Sequence, residues 1–393
     1  MSQESAALKH RIWLSVKVLV TLCLVGWVLW KVEWKDSLRT EGGATLHGFA
    51  RTVDGTKQFF ASSGEILPMP APPSDPSIPD AYTPGFIRLL WNVNKPLLLV
   101  AFVLFSCHGF LLSIRWQWLL HTHGLDPGFW ESARLTWIGL VANNVMPSSI
   151  GGDAIKAVCI SRRTPNKRME AVMTVLVDRA LGLVALLAVA SVAILAQWNE
   201  PALAKVRVGI LAGLFGILIG AFIFFSGRFR RVFRVNELLA KLPGGPLIAR
   251  LDNALYHYRH HPWTMARAVG ISVFLHVWTI TMVMLMGWAL GMKVPPICYY
   301  MFVPLIWISG AFLPSIGGIG VLESGFAYFF SLPMAGATAS SAVALCILYR
   351  MVQLLMCLPG VGAAHREMSR KKKPLAEAPV LAPTPEPALA QSA

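Results

Sequence analysis

The sequence predicts an all-α polytopic membrane protein with six full spans and two re-entrant, broken-helix hairpins. We expect these elements to form an inverted-topology repeat with both termini in the cytoplasm. Three observations support this prediction. Of the 393 residues, 55% are hydrophobic and 14% are charged, the apolar runs recur at membrane length, and a Pro-Ser…Gly-Gly phrase interrupts two of them.

Six apolar runs are each long enough for a spanning helix of about 20 residues. They are 12–30, 95–114, 171–198, 206–226, 268–290 and 340–359. Tryptophans near the ends of these runs, Trp116 among them, are typical of interface anchors. The first run is too long, and its flank too poor in small residues, for a cleaved signal peptide.

The two interrupted segments are 130–161 and 295–332, each about the length of two half-helices. One contains Pro147-Ser-Ser-Ile-Gly-Gly-Asp153, the other Pro314-Ser-Ile-Gly-Gly-Ile-Gly-Val-Leu-Glu323. Helix-breaking residues at membrane depth are tolerated only where the backbone is buried in protein or lines a cavity. Broken segments at corresponding positions in two halves indicate the binding site of a transporter.

The distribution of the formal net charge of +15 predicts the orientation, because Lys and Arg concentrate on the cytoplasmic side. The N-terminus, the run 162–168, the loop 227–267 and the start of the 364–393 tail are basic. The charge-balanced, Pro-rich segment 31–93 is expected to be an extended extracytoplasmic loop, and the end of the tail to be disordered. We expect residues 1–363 to form the membrane domain. In such a domain, the positive charge indicates contact with a lipid surface rather than with nucleic acid.

These assignments give the order span–span–hairpin–span twice, with opposite orientation, as in alternating-access carriers. The alternative is eight simple spans with two glycine kinks. That alternative also leaves both termini inside, but it places the basic run 162–168 outside.

The first interrupted segment supplies Gly151, Gly152, Asp153 and Lys156 as candidate substrate-binding residues. Asp153 and Lys156 share a helix face and are expected to pair. A helix N-terminus after the glycines offers amides and a positive dipole end to an anion such as phosphate. The alternative is that Asp153 only caps the helix.

The second interrupted segment supplies Gly317, Gly318, Gly320 and Glu323 as the corresponding candidates. Glu323 has no cation nearby in sequence, so we expect its partner to come from elsewhere in the fold. Ionisable groups inside a membrane mark functional sites. The alternative is that Glu323 lies near the outer interface.

The span after each break contains an arginine: Asp178-Arg179 in one and Arg350 in the other. An arginine fork matches the oxygen pair of a phosphate, so Asp178, Arg179 and Arg350 complete the candidate site. The alternative, compatible with the first, is that Arg179 and Arg350 pair with Asp178 and Glu323.

The sequence predicts no cofactor, metal site or catalytic residue. The six cysteines are scattered, and the histidines lack a carboxylate pattern that would complete a metal site. Motifs for nucleotide binding or for an acyl-enzyme nucleophile are absent, so the chain is expected not to be an enzyme.

These residues resemble the membrane portion of the lysylphosphatidylglycerol synthase/flippase family over about 95–363. The residues that carry the resemblance are Ile138-Gly139, Asn143-Asn144, Pro147, Gly151-Gly152-Asp153, Lys156, Asp178-Arg179, Pro314, Gly317-Gly318, Gly320, Glu323 and Arg350, with Arg115-Trp116 and Leu119-Leu120. Lys156 stands where the family often has Arg, and the long Pro-rich loop is a departure from the family.

The resemblance implies translocation of a phosphate-bearing, glyco- or aminoacyl lipid between leaflets of a bacterial inner membrane. Membrane lipids would be the ligands, and lipid-synthesis enzymes would be partners. Because the sequence ends in a segment expected to be disordered, we expect the aminoacyl-transferase activity of full-length synthases to be absent. Two alternatives remain open: a membrane glycosyl- or lipid-transferase using Asp153 or Glu323 as general base, and an accessory scaffold of a hopanoid or glycolipid pathway.

Overall fold

The structure is a computed structural model. It describes residues 22–23, 25–30, 32–40, 44–53, 56–69, 82–145, 151–226, 252, 254–313, 315 and 318–369. Most of these residues are helical, and the predicted polytopic helical membrane protein is confirmed at this level. The prediction that the chain is all-α is wrong, because part of the segment before residue 84 forms a β-sheet.

The helices of the described part of the chain are numbered in sequence order. They are α1 Phe86–Trp91, α2 Lys95–Ser106, α3 His108–Thr122, α4 Phe129–Val145, α5 Gly151–Ser161, α6 Arg168–Ala196, α7 Ala204–Phe225, α8 Pro262–Ala289, α9 Pro296–Phe312, α10 Val321–Phe330 and α11 Ala339–Ser369. Single 3₁₀ turns lie at Pro201–Leu203 and Tyr258–His260.

Four helical segments are long and apolar enough to cross a membrane: Lys95–Thr122, Arg168–Ala196, Pro262–Ala289 and Ala339–His365. The first combines α2 and α3, which meet at Cys107. All four correspond to predicted spans. Of the other two predicted spans, 206–226 lies in α7, whose described apolar stretch is the shorter Val206–Phe222, and 12–30 lies mostly outside the described residues.

The helix ends fall into two sets on opposite ends of the molecule. At one end, the Asn94 backbone N–H before α2 donates to the Ala289 carbonyl at 2.8 Å, so α2 begins where α8 ends. At the other end, Lys167 Nζ, before α6, donates to the His123 carbonyl at 3.0 Å. We call these the sheet end and the histidine end.

Helices α4 and α5 pack antiparallel as a hairpin that opens at the histidine end. Arg163, just after α5, forms an ion pair with Glu131 in the first turn of α4. Near the tip, a Cβ on Gly152 would lie 2.0 Å from the Gly139 carbonyl oxygen, so only glycine allows this close approach. The residues between Val145 and Gly151 lie outside the described part, and with them Pro147 of the sequence motif.

Helices α9 and α10 form a second hairpin, which opens at the sheet end. The Tyr299 and Phe330 rings, near its open end, are 5.2 Å apart. The long arms α4 and α9 each have 17 residues, and the short arms α5 and α10 have 11 and 10. At 1.5 Å per residue the arms measure about 25 and 15 Å, short of the roughly 30 Å hydrocarbon core.

The segment 31–93 is not the extended loop that its prolines indicated. Five strands, β1 Asp36–Arg39, β2 Thr45–Val53, β3 Thr56–Ala61, β4 Ile66–Pro68 and β5 Tyr82–Thr83, form an antiparallel sheet in the order β4-β3-β2-β1-β5. Its own small core contains Leu38, Ala50 and Phe59. Most of the prolines follow β4 and lie outside the described residues.

The sheet is fixed to the helical part of the chain by polar contacts. The Glu33 backbone N–H donates to Ser340 Oγ, in the first turn of α11, at 2.8 Å. Buried Asp36 accepts from the Gly85 N–H, just before α1, at 2.9 Å. The sheet therefore lies at the end where α2 and α11 begin.

Two segment boundaries predicted from the sequence differ from those in the structure. The loop 227–267, described only at 252 and from 254 onward, ends earlier than expected because α8 begins at Pro262. The tail predicted from residue 364 begins later, because α11 continues to Ser369. Residues 370–393 lie outside the described part.

Candidate functional site

The first acid–arginine pair joins α5 to α6. Asp153 lies in the first turn of α5, and its Oδ2 forms an ion pair with an Nη atom of Arg179 on α6. Asp153 is therefore more than a helix cap. The two side chains are 23% and 28% exposed, so another group is able to reach the arginine.

A second cluster lies one helix turn deeper and joins α3, α5 and α6. Arg115 Nε lies 2.8 Å from Asp178 Oδ1, and Lys156 Nζ lies 3.4 Å from Asp178 Oδ2. The Lys156 ammonium also lies over the Trp116 ring, 3.8 Å from its centroid. Two cations thus share one carboxylate inside an apolar helix bundle, and the buried Trp116 ring provides a cation–π contact.

This cluster is closed to solvent. The Arg115 and Lys156 side chains are only 6% and 5% exposed. Arg115 Nη1 also donates to Ser272 Oγ on α8 at 2.8 Å, and Trp116 Nε1 donates to Thr174 Oγ1 at 3.0 Å. The arrangement holds α3, α5, α6 and α8 together and leaves no cation open to a ligand.

The pairing differs from the prediction. Lys156 contacts Asp178 rather than Asp153, and Arg179 contacts Asp153 rather than Asp178. The reason is geometric: consecutive helical residues such as Asp178 and Arg179 point about 100° apart. Asp178 consequently faces the core while Arg179 faces the first turn of α5.

The second acid–arginine pair joins α10 to α11. Arg350 Nε lies 2.5 Å from Glu323 Oε1, which supplies the cation that the sequence near Glu323 lacks. Glu323 Oε2 also accepts from the Gly320 N–H at 2.7 Å. The two side chains are 12% and 20% exposed, so this pair is also partly accessible.

Glycines shape the backbone that precedes Glu323. Gly318 and Gly320 have φ angles of +73° and +83°, a region that glycine enters without steric cost. A Cβ on Gly318 would lie 3.7 Å from Arg350 Nη2, so the turn passes directly beside the guanidinium. Gly317 lies outside the described residues.

Helix α11 contacts both hairpins on one face. Asn144, at the end of α4, donates from Nδ2 to Cys357 Sγ at 3.3 Å, and Arg350 contacts Glu323 at the start of α10. Arg350 and Cys357 are two turns apart, about 10 Å along the helix. The inner ends of the two hairpins therefore approach the same stretch of α11 from opposite ends of the molecule.

Two residues near the second pair have a buried side-chain polar atom without a hydrogen-bond partner among the described residues. They are Ser324, next to Glu323 in sequence, and Trp307. Trp307 stacks on Tyr349, the neighbour of Arg350, at 5.8 Å. Buried polar groups are usually satisfied, so these two donors are able to bind a water molecule or another polar group.

Arg115 was not predicted from the sequence as a member of the cluster. Its predicted span ended at residue 114, which placed Arg115 in a loop, whereas the helix continues to Thr122. Leu119 and Leu120, both buried, were the available signal, because they continue the apolar run past the arginine. Trp116, expected at the interface, is fully buried.

The described residues contain no group of three or more His, Cys, Asp or Glu side chains placed to hold a metal ion. His257 and His261 are close, with their Nε2 atoms 3.3 Å apart, but Nε2 of His257 is also 3.0 Å from the Thr122 carbonyl oxygen. These histidines link α3 to α8 at the histidine end.

Comparison with known proteins finds a matching family and a relative. The sequence model of the lysylphosphatidylglycerol synthase TM region matches residues 84–360. A UPF0104 membrane protein of Methanocaldococcus jannaschii is 23% identical over 305 residues, which cover 73% of this chain and 90% of that relative. The matched region contains every candidate site residue and begins just after the last strand of the sheet.

Proposed function

Since the chain belongs to the lysylphosphatidylglycerol synthase transmembrane-region family and is a multi-pass membrane protein, we propose that it moves a phosphate-bearing lipid between the two leaflets. The headgroup would pass a site between the inner ends of the two hairpins. Arg179 and Arg350 would bind the phosphate there.

One observation carries this proposal: two arginines of the helix bundle are each paired with a carboxylate but remain partly accessible. The Arg179 and Arg350 side chains are 28% and 20% exposed, against 6% for Arg115. A charged side chain at membrane depth usually faces a polar cavity or the bundle interior. Accessible arginines at two breaks fit a site that a headgroup enters.

Phosphate binding by these arginines would be a partner exchange. In the resting protein Asp153 and Glu323 neutralise the guanidinium groups, so no unpaired charge is left in a low-dielectric region. A phosphate offers the same bidentate geometry as a carboxylate. Binding would therefore replace one anion by another, and each displaced carboxylate would be free to pair with a cationic headgroup.

Asp178 and Lys156 have a supporting role in this proposal rather than the ligand-binding role expected from the sequence. Together with Arg115 they hold α3, α5 and α6 in place behind the Asp153–Arg179 pair.

We further propose that the two halves form an inverted repeat. The support is that the hairpins have matching arm lengths, open at opposite ends of the molecule, and each bring a carboxylate in the first turn of the short arm to an arginine on the following long helix. Carriers built this way change access by moving one half against the other.

The transferase alternative has less support. A general base needs a carboxylate that is free to take a proton, whereas Asp153 and Glu323 are each held by an arginine. The same contacts favour anion exchange over acid–base chemistry.

The activity is testable with the purified chain in vesicles that contain a fluorescent phosphatidylglycerol analogue. Transport exposes inner-leaflet label to a membrane-impermeant quencher added outside. We expect faster loss of inner-leaflet label than in protein-free vesicles, and slower movement of an uncharged diacylglycerol-based glycolipid analogue. Equal rates with and without protein would refute lipid movement, and equal rates for both lipids would refute phosphate recognition.

A further inference from the structure

A groove lies between the β-sheet and α1, away from the hairpins. The groove has a volume of about 710 Å³. Its lining includes four aromatic and three basic residues: Trp34, Phe49, Tyr82, Trp91, Arg51, Lys57 and Arg88. Nothing in the matched family region assigns a ligand to it, because most of these residues precede residue 84.

The groove lies at the boundary between membrane and water. Asn92, which lines it, is followed three residues later by the start of a membrane-length helix, Lys95–Thr122. N-terminal to the sheet, Trp34 follows shortly after the helical residues 25–30. Trp34 and Trp91 thus stand where tryptophan is enriched, at headgroup level.

The charges of the groove are not balanced. Its one acid, Asp36, is buried and already accepts the Ala50 and Gly85 N–H groups at 2.9 Å each, and Arg88 Nε lies 3.0 Å from it. Arg88 is therefore committed to Asp36. Arg51 and Lys57 are exposed on neighbouring strands. Arg51 pairs with Gln58 and Lys57 with Thr52, so their side chains leave opposite faces of the sheet. Neither forms an ion pair among the described residues, and both add positive charge to the groove.

The aromatic side chains are exposed to an unusual degree. Trp91 is 83% and Phe49 56% exposed, although large aromatic side chains gain most from burial. An apolar wall beside two free cations, at headgroup level, is complementary to a lipid whose phosphate faces water and whose glycerol and upper chains face the membrane. A free anion would use the cations but not the aromatic wall.

We propose that this groove binds the phosphate-bearing headgroup of a lipid in the leaflet that contacts the sheet. Arg51 and Lys57 attract the phosphate through their positive charge, and Trp34, Phe49 and Trp91 contact the glycerol and the first carbons of the chains. The inference does not depend on transport, because the groove shares no residue with the Arg179 and Arg350 sites.

The test is photo-crosslinking of the full chain in nanodiscs of zwitterionic lipid with a small fraction of a phosphatidylglycerol analogue. The analogue carries a diazirine near the headgroup end of one chain, and peptide mass spectrometry locates the adducts. We expect adducts on peptides that contain Trp34, Phe49 or Trp91. The double variant Arg51→Gln/Lys57→Gln should reduce them roughly tenfold or more, since each basic residue contributes appreciably to anionic-lipid binding.

Two matched variants control for folding and for overall charge. Arg39→Gln removes a cation from the same sheet outside the groove lining and should leave the adducts unchanged. Arg51→Lys/Lys57→Arg keeps the charge and should keep them too. Undiminished adducts in the double glutamine variant, or an equal loss in Arg39→Gln, would overturn the proposal.

Competition separates the two sources of phosphate. Unlabelled phosphatidylglycerol should suppress the adducts, while millimolar inorganic phosphate should not. Equal suppression by inorganic phosphate would overturn the lipid assignment in favour of a free-anion site. The crosslinking signal is independent of lipid movement, so a failure of the groove and a failure of transport are distinguishable.

Discussion

Glu323 is held by Arg350 through one carboxylate oxygen and by the Gly320 N–H through the other, at 2.5 and 2.7 Å. The same side chain therefore fixes the start of α10 and neutralises an arginine of α11. Asp153 occupies the matching place in α5 and meets Arg179 of α6. In each half, the acid–arginine pair therefore ties the first turn of the short helix to the long helix that follows.

The buried cluster of Arg115, Lys156 and Asp178 predicts a large loss of stability for one substitution and little change for another. Asp178→Asn leaves Arg115 and Lys156 without an anion, and breaking a buried pair in this way costs about 3–5 kcal/mol. Lys156→Met removes the surplus cation and leaves Arg115 paired with Asp178, so stability should change by about 1 kcal/mol or less. Melting temperatures in detergent measure both.

Lys156→Met also tests whether Lys156 only holds the helices in place or binds the substrate. Because its side chain is only 5% exposed, the variant should retain transport. Loss of transport in a stably folded Lys156→Met protein would show that Lys156 contacts the substrate, as the sequence alone indicated.

The contact between α4 and α5 predicts that Gly152→Ala is harmful. An added Cβ would lie 2.0 Å from the Gly139 carbonyl oxygen and 2.6 Å from Asn143 Cγ, so the hairpin must open. We expect a loss of about 1–3 kcal/mol from overpacking. Gly209→Ala in α7 is the matched control, because nothing lies within 4 Å of its added Cβ; similar losses in both would refute the packing argument.

The histidine end predicts a loss of stability in acid. Burial, with added repulsion from His257, His261 and Lys167, lowers the pKa of His123 to about 4 from 6.5. Between these values the unfolded chain binds a proton that the folded chain does not, so stability falls as the pH drops from 6.5 to 4 and is unaffected above 6.5. The loss should reach about 2 kcal/mol at pH 5.

His123→Phe keeps the ring that packs on Tyr258 and should remove most of this acid sensitivity when melting is compared at pH 7.5 and pH 5. Some should remain, because burial and the neighbouring histidines also lower the pKa of His261. His47→Phe, at an exposed position of the sheet, should melt with the unaltered pH dependence. An unchanged pH dependence in His123→Phe would show that another group is responsible.

The orientation of the hairpins is testable by cysteine labelling. Pro165, after α5, and Ser331, after α10, are both exposed and lie at opposite ends of the molecule. In a cysteine-free background, Pro165→Cys should react with an impermeant thiol reagent only from the cytoplasmic side and Ser331→Cys only from outside. Labelling of Pro165→Cys from outside would favour eight simple spans.

Much of this architecture follows from the order of residues along the chain. Apolar runs predicted four of the membrane-length helices, because length and hydropathy are local properties. The pairing of Glu323 with Arg350 was also predictable from the sequence, because a carboxylate in an apolar stretch needs a cation. The partner of Asp153 was not predictable, because the choice between Lys156 and Arg179 depends on how α5 packs against α6.

Two predictions from the sequence were wrong for physical reasons. Prolines and polar residues around the sheet resemble those of an extended loop, and the strands β1 to β5 become evident only through their pairing with one another. Arg115 interrupts a run of apolar residues, so the predicted span ended at residue 114, whereas the helix continues to Thr122. Its charge is tolerated because Asp178 and Ser272 arrive from two other helices, which no local pattern reveals.

The central claim is that Arg179 and Arg350 bind the lipid phosphate during movement between leaflets. The most direct test measures transport of the phosphatidylglycerol analogue by Arg179→Gln and Arg350→Gln, each at matched protein content in the vesicles. Arg207→Gln is the control, since the contacts of this α7 arginine within the described part of the chain are with Trp198. We predict at least a tenfold loss of rate in the first two variants and none in Arg207→Gln; unaltered transport by correctly inserted Arg179→Gln and Arg350→Gln would contradict the claim.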